Sequence, residues 1–176
     1  MRLHSAIALF IASFLSCHAE QIRILVVEAR NGKPVPFECL NVTLGVWHGA
    51  DILARTDQNG VALITVDSDH LSANLVPGKP CLGIPATKTL SNAEQLTTLS
   101  VVPDWYVSCQ YSKDQVKDPA WLAETPAQRI PSFAIKEVLS DGAVAANSCS
   151  KLSPSPKPGE LVLIVRKRTF LEGMKS

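Results

Sequence analysis

The chain has 176 residues, 46% of them hydrophobic, and a formal net charge of +1 from 17 basic and 16 acidic side chains. That near-balance removes the net basic face on which nucleic-acid binding depends, and the length suits one ordinary domain able to bury a real core. Aromatic residues are few, at 6%, while 12 prolines punctuate the chain, a composition suited to many short strands and turns.

The chain opens with Arg2, an apolar run from Ala6 to Leu15, and Ser16-Cys17-His18-Ala19. A basic start, an apolar run of this length and a small-x-small ending (Cys17, Ala19) read as a secretory signal cleaved after Ala19. The run is shorter than the about 20 apolar residues a spanning helix needs, so no transmembrane segment is expected after cleavage. The alternative is a lipid anchor at Cys17, for which Phe14-Leu15-Ser16 is a poor recognition sequence because Leu15 is large. The expected mature domain is therefore 20–176, secreted or periplasmic.

From Ile22 to Val66 the sequence reads as strand, tight turn, strand, loop, strand, tight turn, strand. Ile22, Ile24 and Val26 alternate with Arg23, Leu25 and Val27, a period-2 run with one well-buried face. Asn31 and Gly32, followed by Lys33 and Pro34, supply the turn: Asn and Gly tolerate positive φ, and Pro34 restores an extended path. Leu40, Val42 and Leu44 mark the second strand. Gly45 and Gly49 bracket Trp47 and His48 in a loop. A third strand follows from Ile52 to Thr56, and Asp57-Gln58-Asn59-Gly60 turns it into a fourth, Val61 to Val66. Asp57 can bond the backbone two residues on, and Gly60 suits a left-handed position. No segment between these strands is long enough for a crossover helix, which favours a sandwich over a parallel sheet.

The residues Val26, Ala29, Gly32, Lys33, Pro34, Val35 and Pro36, then Thr56, Asp57, Asn59 and Gly60, carry a resemblance. The pattern is similar to the carboxypeptidase regulatory-like domain of the transthyretin-like (prealbumin-like) β-sandwiches, as found in bacterial secreted proteins. It covers roughly the first third of the mature chain and fades after Val66. The resemblance implies a mainly β, Greek-key, Ig-like or transthyretin-like sandwich of about seven strands. It implies no reaction of the domain's own, since such domains accompany enzymes, transporters or adhesins.

From Ser68 to Asn92 the composition turns to loop, with a short strand around Leu75-Val76 or from Leu82 to Ile84. Leu96 to Val102 and Trp105 to Gln110 read as strands separated by Pro103-Asp104. Lys113 to Arg129 is polar and irregular, pinned by Trp121 and Leu122. Ser132 is a natural N-cap for a short helix with Phe133, Ile135, Val138 and Leu139 on its apolar face, ended by Asp141-Gly142. Leu161 to Val165 is apolar on both faces and reads as a central strand. The domain thus divides into a regulatory-like core (20–110), a loop and helix excursion (111–159) and a final strand (160–169).

Four cysteines remain after cleavage: Cys39, Cys81, Cys109 and Cys149. An even count in an exported chain predicts two disulfides in one of three pairings; we favour Cys39–Cys81 and Cys109–Cys149. Their spacing is not that of a zinc site, and no cofactor is expected. Asp57 to Gly60 resembles half of a calcium loop, but Arg55 stands where an acid is needed and a strand follows. His48 and His70, with Asp51, Asp67 and Asp69 nearby, are the candidate metal ligands of a metal-dependent enzyme. Among enzymes of similar fold, the intradiol dioxygenases use two Tyr followed by two His. Here the histidines are far apart and precede Tyr106 and Tyr111. The hydroxyisourate hydrolases end in Tyr-Arg-Gly-Ser; this chain ends in Glu172-Gly173-Met174-Lys175-Ser176. No Gly-x-Ser-x-Gly elbow occurs.

Trp47 beside His48 is the candidate platform for a glycan, while Trp105 and Trp121 are expected in the core, as aromatics that bury large areas. Arg166-Lys167-Arg168 reads as a solvated strand end. Asn41-Val42-Thr43 forms a glycosylation sequon that matters only in a eukaryotic host. The expected function is a non-catalytic secreted module for binding or assembly, with an envelope protein or a glycan as partner.

Overall fold

The computed structural model describes residues 20–45, 50–66, 70–73, 81, 87–89, 97–110 and 132–169. Two β-sheets and one short helix account for the regular structure among them. In chain order the strands are β1 (Glu20–Glu28), β2 (Cys39–Leu44), β3 (Ala50–Arg55), β4 (Val61–Val66), β5 (His70–Ala73), β6 (Thr87–Thr89), β7 (Thr98–Pro103), β8 (Tyr106–Ser108) and β9 (Ser132–Ala134). Helix α1 (Ile135–Ser140), β10 (Ala143–Val144) and β11 (Glu160–Lys167) complete the order. One sheet has seven strands, ordered β10-β11-β1-β4-β5-β6, with β8 also on β11; the other has four, ordered β3-β2-β7-β9.

The alternation of β1 decides its place. Ile22, Ile24 and Val26 point into the space between the sheets, where they meet Leu161, Leu163 and Val165 of β11 and Leu40, Val42 and Leu44 of β2. Its neighbours are β11, which runs parallel to it, and β4, which runs antiparallel. The opposite face is apolar as well. Val27, Val162, Ile164 and Cys109 form a second cluster, covered by Leu152 and Val144. This is why Leu161 to Val165 lacks polar alternation: both of its faces are buried, as the sequence predicts for a central strand.

Both glycine turns do more than join ladder neighbours, because β1 and β4 belong to one sheet while β2 and β3 belong to the other. The first turn closes locally: the Glu28 N–H donates to Lys33 O at 2.9 Å, and Val27 bridges Pro34. Gly32 takes φ 67°, and the Asn31 side chain accepts from the Lys33 N–H at 2.8 Å. The chain then crosses to the second sheet. In the second turn Asp57 Oδ1 accepts from the N–H groups of Asn59 and Val61 at 2.8 and 2.9 Å, and Gly60 takes φ 72°. The two turns dock together, with the Val26 N–H donating to Gly60 O at 2.9 Å.

Several expectations need correction. The seven-stranded sheet alone reaches the strand number expected for the whole chain, because β5, β6 and β10 form where loop composition gave no signal. These are strands of two to four residues, too short for period-2 alternation to register. The helix also starts later than expected. Ser132 is not its cap: Ser132 to Ala134 pair with β7, Phe133 opposite Leu99, and α1 begins at Ile135 with no side-chain cap. Edge pairing on β7 satisfies the backbone there, and the Ile135 N–H donates to Thr97 O instead. The expected strands around Leu75-Val76 and Leu82 to Ile84 lie outside the described residues, as does Lys113 to Arg129.

The disulfides are Cys39–Cys81 and Cys109–Cys149, with Cα separations of 5.8 and 5.4 Å. This is the favoured pairing of the three, and two disulfides fit an oxidising compartment outside the cytoplasm. Among the described residues no helix is long and apolar enough to cross a membrane.

Candidate functional site

The candidate site is a corner where chain segments pass between the sheets, built around Glu38. This residue directly precedes β2 and is 1% exposed, one of three buried polar or charged residues in the described chain. Its position follows from the alternation of β2: Leu40, Val42 and Leu44 face the core, and so does position 38 one step earlier on the same face. Glu38 Oε1 accepts from the backbone N–H groups of Trp105 and Tyr106, at 2.7 and 3.1 Å. Those residues link β7 in one sheet to β8 in the other, so the carboxylate fastens the crossing.

Thr56 secures Glu38 from the other side. It is fully buried; its Oγ1 accepts from the Glu38 N–H at 2.8 Å and donates to Val35 O at 2.9 Å. Phe37 takes φ 60°, the one non-glycine residue with positive φ among those described. A bulky side chain in the left-handed region costs about 1–2 kcal/mol, and backbone strain of this kind persists only where its surroundings fix it. Here Arg55 does so: its Nε donates to Phe37 O at 3.2 Å, and its guanidinium lies 5.3 Å from the ring centroid.

The consequence is an exposed aromatic corner on a rigid base. Trp105 is 57% exposed and Phe37 40% exposed. Trp105 therefore does not plug the core, as its size suggested. The residue after it, Tyr106, packs against the main cluster instead, because Glu38 fixes the turn in a register that buries the second aromatic and presents the first.

Burial raises the Glu38 pKa above the ordinary glutamate range; the Trp105 and Tyr106 N–H groups oppose that shift and the nearby Asp104 charge adds to it. Oε2 is buried without a hydrogen-bond partner. The folded chain thus holds the Glu38 proton more tightly than the unfolded chain does. Its contribution to stability is full below the ordinary glutamate range and is lost as pH rises through the raised folded value. Asp57 behaves oppositely. Desolvation works against its ionisation, but the N–H groups of Val61 and Asn59, the Asn59 side chain and Arg23 together hold its pKa below the usual aspartate range. Its contribution is present above that range and lost as pH falls through the lowered folded value.

Glu38→Gln is expected to remove the gain in stability on mild acidification, read as urea midpoints across the mildly acidic range. Glu38→Ala leaves the Trp105 and Tyr106 N–H donors without their acceptor and is expected to lower stability by about 1–3 kcal/mol, measured by urea unfolding at neutral pH.

The other candidate residues distribute as follows. Trp47 and His48 lie outside the described residues, and His70 is placed in β5 by its backbone alone. Among the described residues no group of three His, Cys, Asp or Glu side chains could hold a metal ion. Asn31, Gly32, Asp57, Asn59 and Gly60 all lie in the two docked turns. Cys39 and Cys81 lie on the outer side of the four-stranded sheet, and Cys109 and Cys149 fasten the 144–152 cover over the second cluster. Sequence reasoning missed Glu38. The available signal was an acid standing in register with the inward positions of the strand that follows it. Comparison with models of known protein families, with curated proteins and with solved structures gives no match.

Proposed function

We propose that this chain is a secreted, non-catalytic β-sandwich of the transthyretin-like regulatory kind, serving as a module for binding or assembly at the cell envelope. The observation that carries the reading is the Trp105 side chain, 57% exposed on a backbone held by a buried carboxylate. Exposed aromatics on pre-organised backbone are the common anchors of protein interfaces, since they offer large contact area at little entropic cost. The crossing of consecutive strands between sheets (β1 to β2, β3 to β4) supports the sandwich reading.

The test is association of mature protein with the envelope fraction of the secreting cell. Trp105→Ala and Phe37→Ala are each expected to reduce association several-fold while the melting temperature stays within a few degrees. Robust turnover in a hydrolase or oxidase screen, abolished by changing one polar residue, would overturn the reading. A glycan partner is the alternative; its signature is glycan-array binding lost in Trp105→Ala or Trp47→Ala.

A further inference from the structure

A hollow of about 310 Å³ opens on the outer face of the four-stranded sheet. The strand register explains its lining. Asn41, Leu53 and Val102 occupy outward positions on β2, β3 and β7, paired side by side, and the Cys39–Cys81 disulfide closes one side. Among the described residues Pro103, Asp104 and Arg168 also line it. Asp104 arrives with the crossing out of β7, its N–H donating to Cys39 O at 2.9 Å. Arg168 arrives just past the end of β11, whose Lys167 pairs with Tyr106.

These opposite charges share a hollow without joining: no ion pair or hydrogen bond connects the two side chains. That arrangement discriminates among ligands. A simple anion would be drawn to Arg168 but repelled by Asp104, and a simple cation would meet the reverse. A neutral sugar would leave both charges unneutralised. A zwitterion satisfies both. Its carboxylate can take the paired N–H donors of the guanidinium, and its ammonium the Asp104 carboxylate. Among the described residues Leu53, Val102, Pro103 and the disulfide supply apolar wall that suits a small aliphatic side chain. Asn41 Oδ1, buried without a partner, offers an acceptor to the ammonium once the amide rotates. The volume lies at the small end of the range for small-molecule sites, about 300–1,000 Å³.

We infer that this hollow binds a free α-amino acid with an aliphatic side chain, Arg168 holding its carboxylate and Asp104 its ammonium group. Asp104 directly precedes Trp105 in the crossing, but the Trp105 side chain is not part of the hollow's lining, and the inference does not depend on what that side chain contacts.

Calorimetric titration of the mature protein with L-leucine and L-valine tests this, with N-acetyl-L-leucine and L-leucinamide as probes that each lack one charge. Saturable binding of at least one free amino acid is expected, and each capped probe should bind at least about ten-fold more weakly than leucine. Asp104→Asn and Arg168→Gln should each weaken amino-acid binding by about ten-fold or more. Both side chains are exposed, so melting temperature should stay within a few degrees, and Arg168→Gln, which lies outside the crossing that presents Trp105, should leave envelope association unchanged. Absence of saturable binding by either amino acid overturns the inference. So does equal binding of the capped and free forms, or full affinity in both variants.

Discussion

Gly60→Val is expected to leave the chain largely unable to hold its native sandwich. Gly60 has φ 72°, and a Cβ there would lie 2.8 Å from Pro34 Cβ, 2.8 Å from the Val35 backbone nitrogen and 2.9 Å from Val26 O. Two of the three obstacles are backbone atoms, of β1 and of the segment leaving the other turn, and the third belongs to a proline ring, so no flexible side chain can swing aside. The left-handed conformation costs about 1–2 kcal/mol for a side-chain-bearing residue, and overpacking a tight contact adds about 1–3 kcal/mol. Together these come to about 2–5 kcal/mol, which at the upper end equals the stability of the least stable domains, about 5 kcal/mol.

Gly32→Val separates the two terms. Gly32 has φ 67°, yet its Cβ would meet Leu152 Cδ1, the end of a flexible side chain, at 3.4 Å. It should therefore show the conformational cost with little of the steric one. Urea midpoints for the two variants are the measurement. Equal losses would mean that the docking of one turn on the other contributes nothing.

The second large effect is expected from the Cys109→Ser, Cys149→Ser double variant, which should lower stability by about 3–4 kcal/mol in the chain-entropy model. The bridge spans 40 residues. By loop length alone the Cys39–Cys81 bridge, spanning 42, should matter equally. Their surroundings distinguish them: Cys39 is nearly as buried, at 4% exposed, but lines the hollow beside Asn41 and Asp104. Cys109 is 0% exposed within the cluster of Val27, Val162 and Ile164, so a serine hydroxyl there meets apolar neighbours. The cover it fastens is organised by Asn147, whose Nδ2 donates to Leu152 O at 2.8 Å and whose Oδ1 accepts from the Cys149 N–H at 3.1 Å. Thermal melts of the two double variants are expected to fall by roughly 10 °C for the Cys109–Cys149 pair and by less for the other. A larger fall for the Cys39–Cys81 pair would show that the apolar surroundings of Cys109 are not the deciding term.

Parts of this were legible residue by residue. Period-2 alternation marked β1, β2 and β7, because one face of each is dry along its length while the other is at most partly covered. The unbroken Leu161–Val165 run marked a strand buried on both sides. Glycine and Asx chemistry marked both turns, since those conformations exclude most other residues. The short strands β5, β6 and β10 left no trace because their pairing partner, not their own sequence, makes them strands. Ser132 misled because a residue suited to capping a helix is equally able to sit on an edge strand, and the free edge of β7 claimed it. Trp105 misled because size argues for burial only when the backbone can turn that side chain inward.

The sequence by itself determined a β-rich chain, the places where it turns, its central final strand and the cysteines available to cross-link it. These are local properties, set by steric limits on φ and ψ and by the spacing of apolar side chains. Only the tertiary structure decided that both turns pass between sheets, that Glu38 fastens a distant crossing, and that Asp104 and Arg168 face one hollow. Such pairings join residues far apart along the chain, and no periodicity records them; they follow from how two sheets close over a shared core.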